Sequence, residues 1–173
     1  MVLPRSHIIE SRNNNETAAF CGTFDPVTLG HVDLIKRASK MFDKLVVFVS
    51  PNSLKTNTFS NEQKLAWLNE ITKDMSNVEC HIQDGLVVEA CHKVGATVLV
   101  RGIRNTVDFE YEKNMAGMNA LIDPAIDTIC LYTREDLALC SSTNVREFIK
   151  YGLDISSFVP ECVLKTIKER ESK

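Results

Sequence analysis

Residues 21–31 read CGTFDPVTLGH and connect a short apolar run, Ala18 to Cys21, to a segment of helical periodicity from about Leu29 to Phe42. A strand-sized apolar run that passes through a glycine-bearing turn into an amphipathic helix is typical of the first unit of an α/β domain. Gly22 allows the backbone to approach a ligand. Gly30 leaves the first helical turn without a side chain, where free N–H groups and the helix dipole attract anions. The stretch therefore predicts a strand-to-helix turn that can hold a phosphate.

The same alternation continues along the rest of the chain. Further strands are predicted at Lys44 to Val49, Val78 to Ile82, Thr97 to Arg101 and Thr128 to Tyr132. Further helices are predicted at Glu62 to Met75, Val87 to Val94, Val107 to Ile122, Val145 to Tyr151 and Pro160 to Glu169. Five strands that alternate with helices imply right-handed crossovers and a parallel sheet with helices on both faces. We expect one Rossmann-like α/β domain over residues 17–173, after a polar and flexible extension over residues 1–16.

Composition restricts the class of protein. The 173 residues include 20 Lys+Arg and 23 Asp+Glu, so the net charge of −3 gives no general electrostatic reason to bind nucleic acid. No apolar run approaches the roughly 20 residues of a membrane helix. The six cysteines lack Cys-x-x-Cys spacing, which favours a reducing cytoplasm. The dipeptides Cys80-His81 and Cys91-His92 do not predict a zinc site, because sequence neighbours point to different faces. We expect a cytoplasmic protein without nucleic-acid, membrane or resident-metal partners.

Polar and cationic residues follow the other strands, at the edge where ligands of parallel sheets bind. Lys55 lies beyond the second strand, Arg101 to Arg104 at the end of the fourth, and Ser141 to Thr143 after the fifth. Guanidinium groups match phosphate oxygens in bidentate fashion, and a capped helix start presents free N–H groups. Other interpretations remain open. Lys55 can be a solvated lysine, the arginines can pair with Asp108 or Glu112, and the hydroxyl residues can simply cap a helix.

The opening stretch differs from the common nucleotide motifs. It lacks both Gly-x-x-x-x-Gly-Lys-Ser/Thr and Gly-x-Gly-x-x-Gly, which disfavours P-loop hydrolysis and dinucleotide oxidoreduction. His31 would project from the helix start toward a phosphate, although a surface histidine in a tight turn is the structural alternative. Residues 28–31 resemble the Thr/His-x-Gly-His signature of the nucleotidylyltransferase superfamily, whose members transfer a nucleoside monophosphate from a triphosphate.

Four blocks together resemble the phosphopantetheine adenylyltransferase family in order and spacing. They are residues 21–31, Lys55, residues 101–112 and residues 140–146, and the resemblance extends from Ala18 to the C-terminus. It implies a Rossmann-like fold, commonly a homohexamer, with ATP and 4′-phosphopantetheine as substrates and Mg²⁺ as cofactor. The implied products are dephospho-coenzyme A and pyrophosphate, and coenzyme A is the implied feedback inhibitor.

The resemblance also assigns roles by position. His31 and Lys55 would be catalytic, with His31 stabilising the transferred α-phosphate. The acceptor would contact Thr23, Lys55, Val87 and Arg101, with Tyr111 and Asn119 near its pantetheine arm. ATP would contact Thr23, Phe24, His31, Gly102, Ile103, Arg104, Glu112, Leu137, Ala138, Leu139, Cys140, Ser141, Ser142 and Thr143. Because the second pKa of a phosphate lies near 6, the acceptor needs no side-chain base. We expect direct in-line displacement without a covalent enzyme intermediate.

The sequence departs from the family pattern at a few positions. Cys21 stands where many members have proline, and Leu137 and Cys140 replace more typical residues before the serines. Two other functions compete with the one that the resemblance implies. One is an adenylyl- or cytidylyltransferase with a nucleotide or sugar-phosphate acceptor, which the arginine block and Glu112 disfavour. The other is a catalytically silent nucleotide-binding module, which the joint presence of the reactive residues disfavours.

Overall fold

The fold is seen in a computed structural model that describes residues 16–50 and 57–171. One sheet contains β1 (Thr17–Gly22), β2 (Lys44–Val49), β3 (Val78–Ile82), β4 (Val98–Ile103) and β5 (Asp127–Tyr132). The helices are α1 (Leu29–Ala38), α2 (Asn61–Thr72), α3 (Val87–Val94), α4 (Thr106–Ile122), α5 (Ser142–Lys150) and α6 (Glu161–Glu171). Lys55 and residues 1–15 of the predicted extension lie outside the described residues.

The strands are parallel and lie in the order β3-β2-β1-β4-β5. Alternate residues of β1 enter two separate hydrophobic cores, because side chains alternate across a strand. Phe20 packs with α1, α2 and α6 residues on one face, and Ala19 packs with α3 residues on the other. The predicted α/β architecture with helices on both faces is confirmed. The chain leaves the central β1 toward β2 and returns at β4, so a cleft opens at their carboxyl ends.

Several predicted boundaries are wrong. Helix α1 ends at Ala38 rather than Phe42, where the Ser39 hydroxyl donates to the Lys36 carbonyl and residues 39–43 form turns. Helix α2 ends at Thr72 rather than Met75. Serine and threonine hydroxyls compete in this way for backbone groups at helix ends. Strand β4 extends through Ile103, since Gly102 and Ile103 pair with β5.

The segment between β5 and α5 is more structured than predicted. Residues Glu135–Leu137 form a short 3₁₀ helix, and α5 begins at Ser142 rather than Val145. The Ser141 hydroxyl causes the earlier start, because it accepts a hydrogen bond from the Asn144 N–H at 3.0 Å. Across the described ranges, every helix is too short or too polar to cross a lipid bilayer.

Candidate functional site

Two adjoining cavities open at the carboxyl ends of β1 and β4. The first has a volume of about 320 Å³ and the second about 390 Å³. Both are lined by Cys21, Gly22, Thr23, Arg101 and Glu112. The first is polar and includes His31, Arg104 and residues 140–143, whereas the second includes Val87, Tyr111, Met115 and Asn119. The molecule therefore offers a charged compartment beside a more apolar one, with Arg101 in both walls.

The start of α1 controls the orientation of His31. Thr28 caps this helix, and its backbone N–H donates to the His31 Nδ1 at 3.0 Å. The Thr28 hydroxyl donates to the Cys140 carbonyl at 2.8 Å. Because Nδ1 accepts the amide hydrogen, the neutral imidazole must carry its proton on Nε2. His31 lines the first cavity as a hydrogen-bond donor with a defined tautomer.

The imidazole of His31 is neutral at physiological pH. Its pKa is lowered to about 4, first by burial and then by the positive charges of Arg104 and Arg101. Protonation would also replace the Nδ1 acceptor with a second donor facing the Thr28 amide. His31 therefore acts on an anionic ligand through a directed N–H dipole, while the arginines supply the positive charge.

This lowered pKa predicts a pH dependence of stability. An unfolded histidine binds a proton near pH 6.5, whereas His31 in the folded chain does so near pH 4. The unfolded state binds more protons in this window, so the free energy of unfolding rises with pH across it. We expect His31 to account for a loss of about 1–3 kcal/mol as the pH falls from 6.5 to 4.5.

Urea unfolding at several pH values measures this contribution. The comparison is between wild type and His31→Gln, so that the titration of carboxyl groups cancels. The variant should lose less stability than wild type over the same window. If the free energy of unfolding fell equally in the two proteins between pH 6.5 and 4.5, the pKa of His31 would not be strongly lowered in the folded chain.

The start of α5 is attached to the loop between β1 and α1. The Ser142 hydroxyl donates to the Pro26 carbonyl at 2.7 Å, and Arg146 Nη1 donates to the Asp25 carbonyl at 2.6 Å. A Cβ atom on Gly30 would lie 3.1 Å from the Cys140 carbonyl oxygen, which shows how closely α1 approaches the segment that leads into α5. Two helix N-termini therefore meet at one cavity, an arrangement that attracts anions. The expected helix capping by the serine segment is confirmed at Ser141.

A buried ion pair that sequence reasoning missed lies under the same loop. The Asp25 carboxylate accepts the N–H groups of Thr58 and Phe59, each at 2.9 Å. Lys64 Nζ lies 3.5 Å from Asp25 Oδ1 and donates to Asn57 Oδ1 at 3.0 Å. Burial lowers the pKa of Lys64, and the Asp25 carboxylate opposes that shift. The sequence signal was Lys64 itself, which shares a helical face with the core residue Leu68 and therefore needs a buried partner.

Arg101 and Arg104 each pair with a carboxylate, which is the alternative that the sequence left open. Arg101 donates to Glu112 from Nε at 2.7 Å and from Nη2 at 2.8 Å. Arg104 donates to Asp108 from Nε at 2.8 Å and from Nη2 at 3.1 Å. Burial works against the Arg101 cation, but hydrogen bonding and the charge of Glu112 leave its pKa raised. Both arginines still line the first cavity, so carboxylate pairing and access to a ligand coexist.

The structure brings most, but not all, of the predicted site residues together. The first cavity contains Thr23, His31, Arg101, Gly102, Arg104, Glu112, Cys140, Ser141, Ser142 and Thr143. Val87 lies in the second cavity with Thr23 and Arg101. The predicted ATP contacts that line neither cavity are Phe24, Ile103, Leu137, Ala138 and Leu139. Asp25, Asn57 and Arg146 line the first cavity and were not predicted.

Phe24 shows why one predicted contact lies elsewhere. Its side chain is 0% exposed, and its ring packs edge-on against His31 with centroids 5.0 Å apart. A Cβ atom on Gly22 would lie 3.0 Å from the Phe24 ring. Phe24 therefore occupies the space where a Gly22 side chain would lie, and its phenyl ring supports the imidazole from the core side.

The chain is similar to known nucleotide-transferring proteins in sequence and in fold. Residues 19–148 match the family model described as cytidylyltransferase-like. The chain is 41% identical over 156 residues to the phosphopantetheine adenylyltransferase of Staphylococcus haemolyticus, covering 90% of this chain and 97% of that protein. It is 45% identical over 146 residues to the phosphopantetheine adenylyltransferase of Methylococcus capsulatus, covering 84% and 90%. A putative nicotinate-nucleotide adenylyltransferase from Vibrio parahaemolyticus has a similar fold, with a TM-score of 0.64 at 20% identity over 90% of this chain and 91% of that one.

Proposed function

The chain belongs to the phosphopantetheine adenylyltransferase family, and from this premise we propose that it transfers the adenylyl group of ATP to 4′-phosphopantetheine. The products would be dephospho-coenzyme A and pyrophosphate, in coenzyme A biosynthesis. One structural observation carries most of the proposal. A polar cavity with two helix N-termini adjoins a cavity lined by Val87 and Met115, and Arg101 lies in the wall of both. A triphosphate and a long, weakly polar acceptor that ends in a phosphate fit this pair of compartments.

The proposed reaction is one in-line displacement. An oxygen of the acceptor phosphate attacks the α-phosphorus of ATP, the bond to the β-phosphate oxygen breaks, and pyrophosphate leaves with its electron pair. The acceptor is already largely dianionic at neutral pH, so no side chain has to remove a proton. Catalysis then depends on positioning and on stabilisation of charge. His31 would donate its Nε2–H to the α-phosphate, and Lys55 would neutralise the attacking phosphate.

ATP would enter as its magnesium complex. Asp25 and Glu112 line the first cavity. The Asp25 carboxylate already accepts hydrogen bonds from two backbone amides and lies beside Lys64. The Glu112 carboxylate already accepts hydrogen bonds from Arg101. Within the described part of the chain, these acids are already engaged. Mg²⁺ is commonly bound through substrate phosphates and water. We therefore assign its coordination in this reaction to the triphosphate, where it would neutralise charge on the leaving pyrophosphate.

Further partners are proposed on the same basis. Coenzyme A contains the pantetheine arm, so it would compete for the second cavity as a feedback inhibitor. Self-association is supported by exposed apolar side chains of α4, where Val107 is 76% and Leu121 88% exposed, and of the edge strand β5, where Tyr132 is exposed; the number of six subunits rests on the family resemblance alone. Contiguous exposed apolar side chains commonly mark subunit contacts. Six unpaired cysteines suit the reducing cytoplasm, where we place the enzyme.

Pyrophosphate release tests the proposed acceptor. Wild-type protein with ATP and Mg²⁺ should release pyrophosphate with phosphopantetheine, and should stay at background with nicotinamide mononucleotide. We expect this difference because the second cavity has apolar walls, at Val87 and Met115, that suit a pantetheine arm better than a second nucleotide. Release only with nicotinamide mononucleotide would indicate a different transferase, and ATP binding without release in either mixture would indicate a silent nucleotide-binding module.

A further inference from the structure

The first cavity has a wall of uncharged residues beside its phosphate-binding features. His31, Arg146 and the start of α5 lie where two helix N-termini meet, and they suit the triphosphate. Leu34, Gly102 and Thr133 form another part of the wall. A Cβ atom on Gly102 would collide with Leu34, so α1 packs directly on the backbone of β4 at this point. This part of the cavity suits the uncharged nucleoside of ATP.

Thr133 is held on both sides by contacts that lead to one carboxylate on α1. Its own N–H donates to a β4 carbonyl at 2.9 Å. Before it, the Tyr132 carbonyl accepts a hydrogen bond from Arg37 Nη1 at 2.8 Å, and the same nitrogen donates to Asp33 Oδ2 at 3.0 Å. After it, Arg134 Nε lies 3.2 Å from Asp33 Oδ1. Asp33 therefore joins both neighbours of Thr133 to α1.

We propose that Asp33 is a positioning residue, which holds the wall at Thr133 in the place that receives the nucleoside of ATP. Asp33 lines neither cavity, so it acts through Arg37 and Arg134 rather than by contact with the nucleotide. The inference rests on the proposed function, because it concerns the nucleotide of that reaction.

The arrangement needs a carboxylate because it brings two guanidinium groups together. Each oxygen of Asp33 faces a different arginine, so one carboxylate compensates part of both positive charges. The Asp33 side chain is 13% exposed, whereas that of Arg134 is 64% exposed. Without the carboxylate, Arg37 would repel Arg134, and the start of the 3₁₀ helix would lose this attachment to α1. A wall that moves has to be ordered when ATP binds, which costs affinity.

Asp33→Asn keeps the size of the side chain and removes its charge. We expect the variant to raise the ATP Kd about fivefold, the scale of ordering one mobile side chain. Inorganic tripolyphosphate lacks the nucleoside, so its Kd should change less than about twofold. Calorimetry in the presence of Mg²⁺ measures both values. Glu79→Gln removes an ion-paired carboxylate from β3, at the opposite edge of the sheet from β5, and should change neither value.

The comparison of ATP with tripolyphosphate separates positioning from a general loss of structure. A loosened fold would weaken the binding of both ligands, and so would the loss of a direct contact between an arginine and the triphosphate. Equal losses of affinity for the two ligands in Asp33→Asn would therefore overturn the inference, as would an unchanged ATP Kd. The phosphopantetheine KM should stay close to that of wild type, because the second cavity does not include Thr133.

Two further variants keep the inference testable if Asp33→Asn folds poorly. Arg134→Ala changes an exposed residue, and we expect it to raise the ATP Kd about twofold to threefold, the scale of one exposed ion pair, at an unchanged tripolyphosphate Kd. A wild-type ATP Kd in this variant would overturn the inference. Arg37→Ala/Arg134→Ala should raise the ATP Kd more than Arg134→Ala alone, because it releases both sides of Thr133. The same Kd in the two variants would contradict a wall held from both sides.

Failure of the proposed function gives a different result. In that case wild-type protein would not release pyrophosphate with phosphopantetheine at all. The calorimetry of ATP and tripolyphosphate would still test the role of Asp33, because neither titration needs the acceptor.

Discussion

His31→Ala is expected to lower turnover by roughly 10²–10³-fold, the usual effect of removing one donor to a transition state. The Nε2–H of His31 lies in the wall of the polar cavity, and its direction is set by the Thr28 amide on the opposite ring nitrogen. Charge on the α-phosphate is greatest while the new bond forms and the old one breaks. The ATP Kd of the variant should therefore remain close to that of wild type.

Two variants with amide side chains identify which ring nitrogen of His31 contributes to turnover. His31→Gln places an N–H donor near the position of Nε2, whereas His31→Asn places an acceptor near that of Nδ1. If donation to the phosphate is the main role, the glutamine variant should retain more turnover than the asparagine variant. Steady-state kinetics with each substrate varied, together with ATP calorimetry, measures both effects. Normal turnover at saturating ATP, with ATP binding abolished in His31→Ala, would rule out the catalytic role.

Asp25→Ala is expected to lower the free energy of unfolding by about 3–5 kcal/mol, the usual effect of breaking a buried ion pair from one side. For a chain of this size that corresponds to a melting temperature lower by about 10 °C. The variant leaves the fully buried Lys64 without its counter-charge and deprives the Thr58 and Phe59 amides of their acceptor. Thermal and urea unfolding measure the loss.

An exposed ion pair is the matched control. Lys73 and Glu70 lie 2.8 Å apart, closer than the 3.5 Å between Lys64 and Asp25. Glu70→Ala should nevertheless leave the melting temperature within the error of measurement, because water screens and replaces the interaction. Asp25→Ala/Lys64→Met should recover part of the lost stability by removing the uncompensated charge. Equal losses in Glu70→Ala and Asp25→Ala would show that burial does not determine the strength of the Asp25 pair.

The sheet was predictable because its three central strands, β1, β2 and β4, are largely apolar on both faces, and because glycine, proline and capping residues separate the strands from the helices. Such local signals also placed the helices, with errors near Ser39 and Thr72, where a hydroxyl group competes for backbone carbonyls. Local signals do not predict the order of the strands, because the pairing of β1 with β4 joins residues about 80 positions apart. Only the general rules for parallel sheets connect that pairing with the sequence.

The site was predictable as a set of residue types and only partly as an arrangement. Residues at strand ends, such as Thr23 and Arg101, could be placed at the cleft because parallel strands end at the same edge. The direction of each side chain could not be predicted in this way. Phe24 turns into the core, and Arg101 is held by Glu112, since both outcomes depend on neighbours from distant parts of the chain. Lys55 lies outside the described residues, so its predicted role stays a prediction.

The hydrogen bonds that join the start of α5 to the first loop have a consequence for biosynthesis. Thr28 bonds to Cys140, Pro26 to Ser142 and Asp25 to Arg146, at separations of 112, 116 and 121 residues. During synthesis on a ribosome, the first loop emerges long before its partners have been translated. Contacts this distant in sequence form slowly and late, because a long stretch of chain must close first. The nascent chain thus cannot assemble the polar cavity until Arg146 has left the ribosome, and ATP can stabilise only the nearly finished protein.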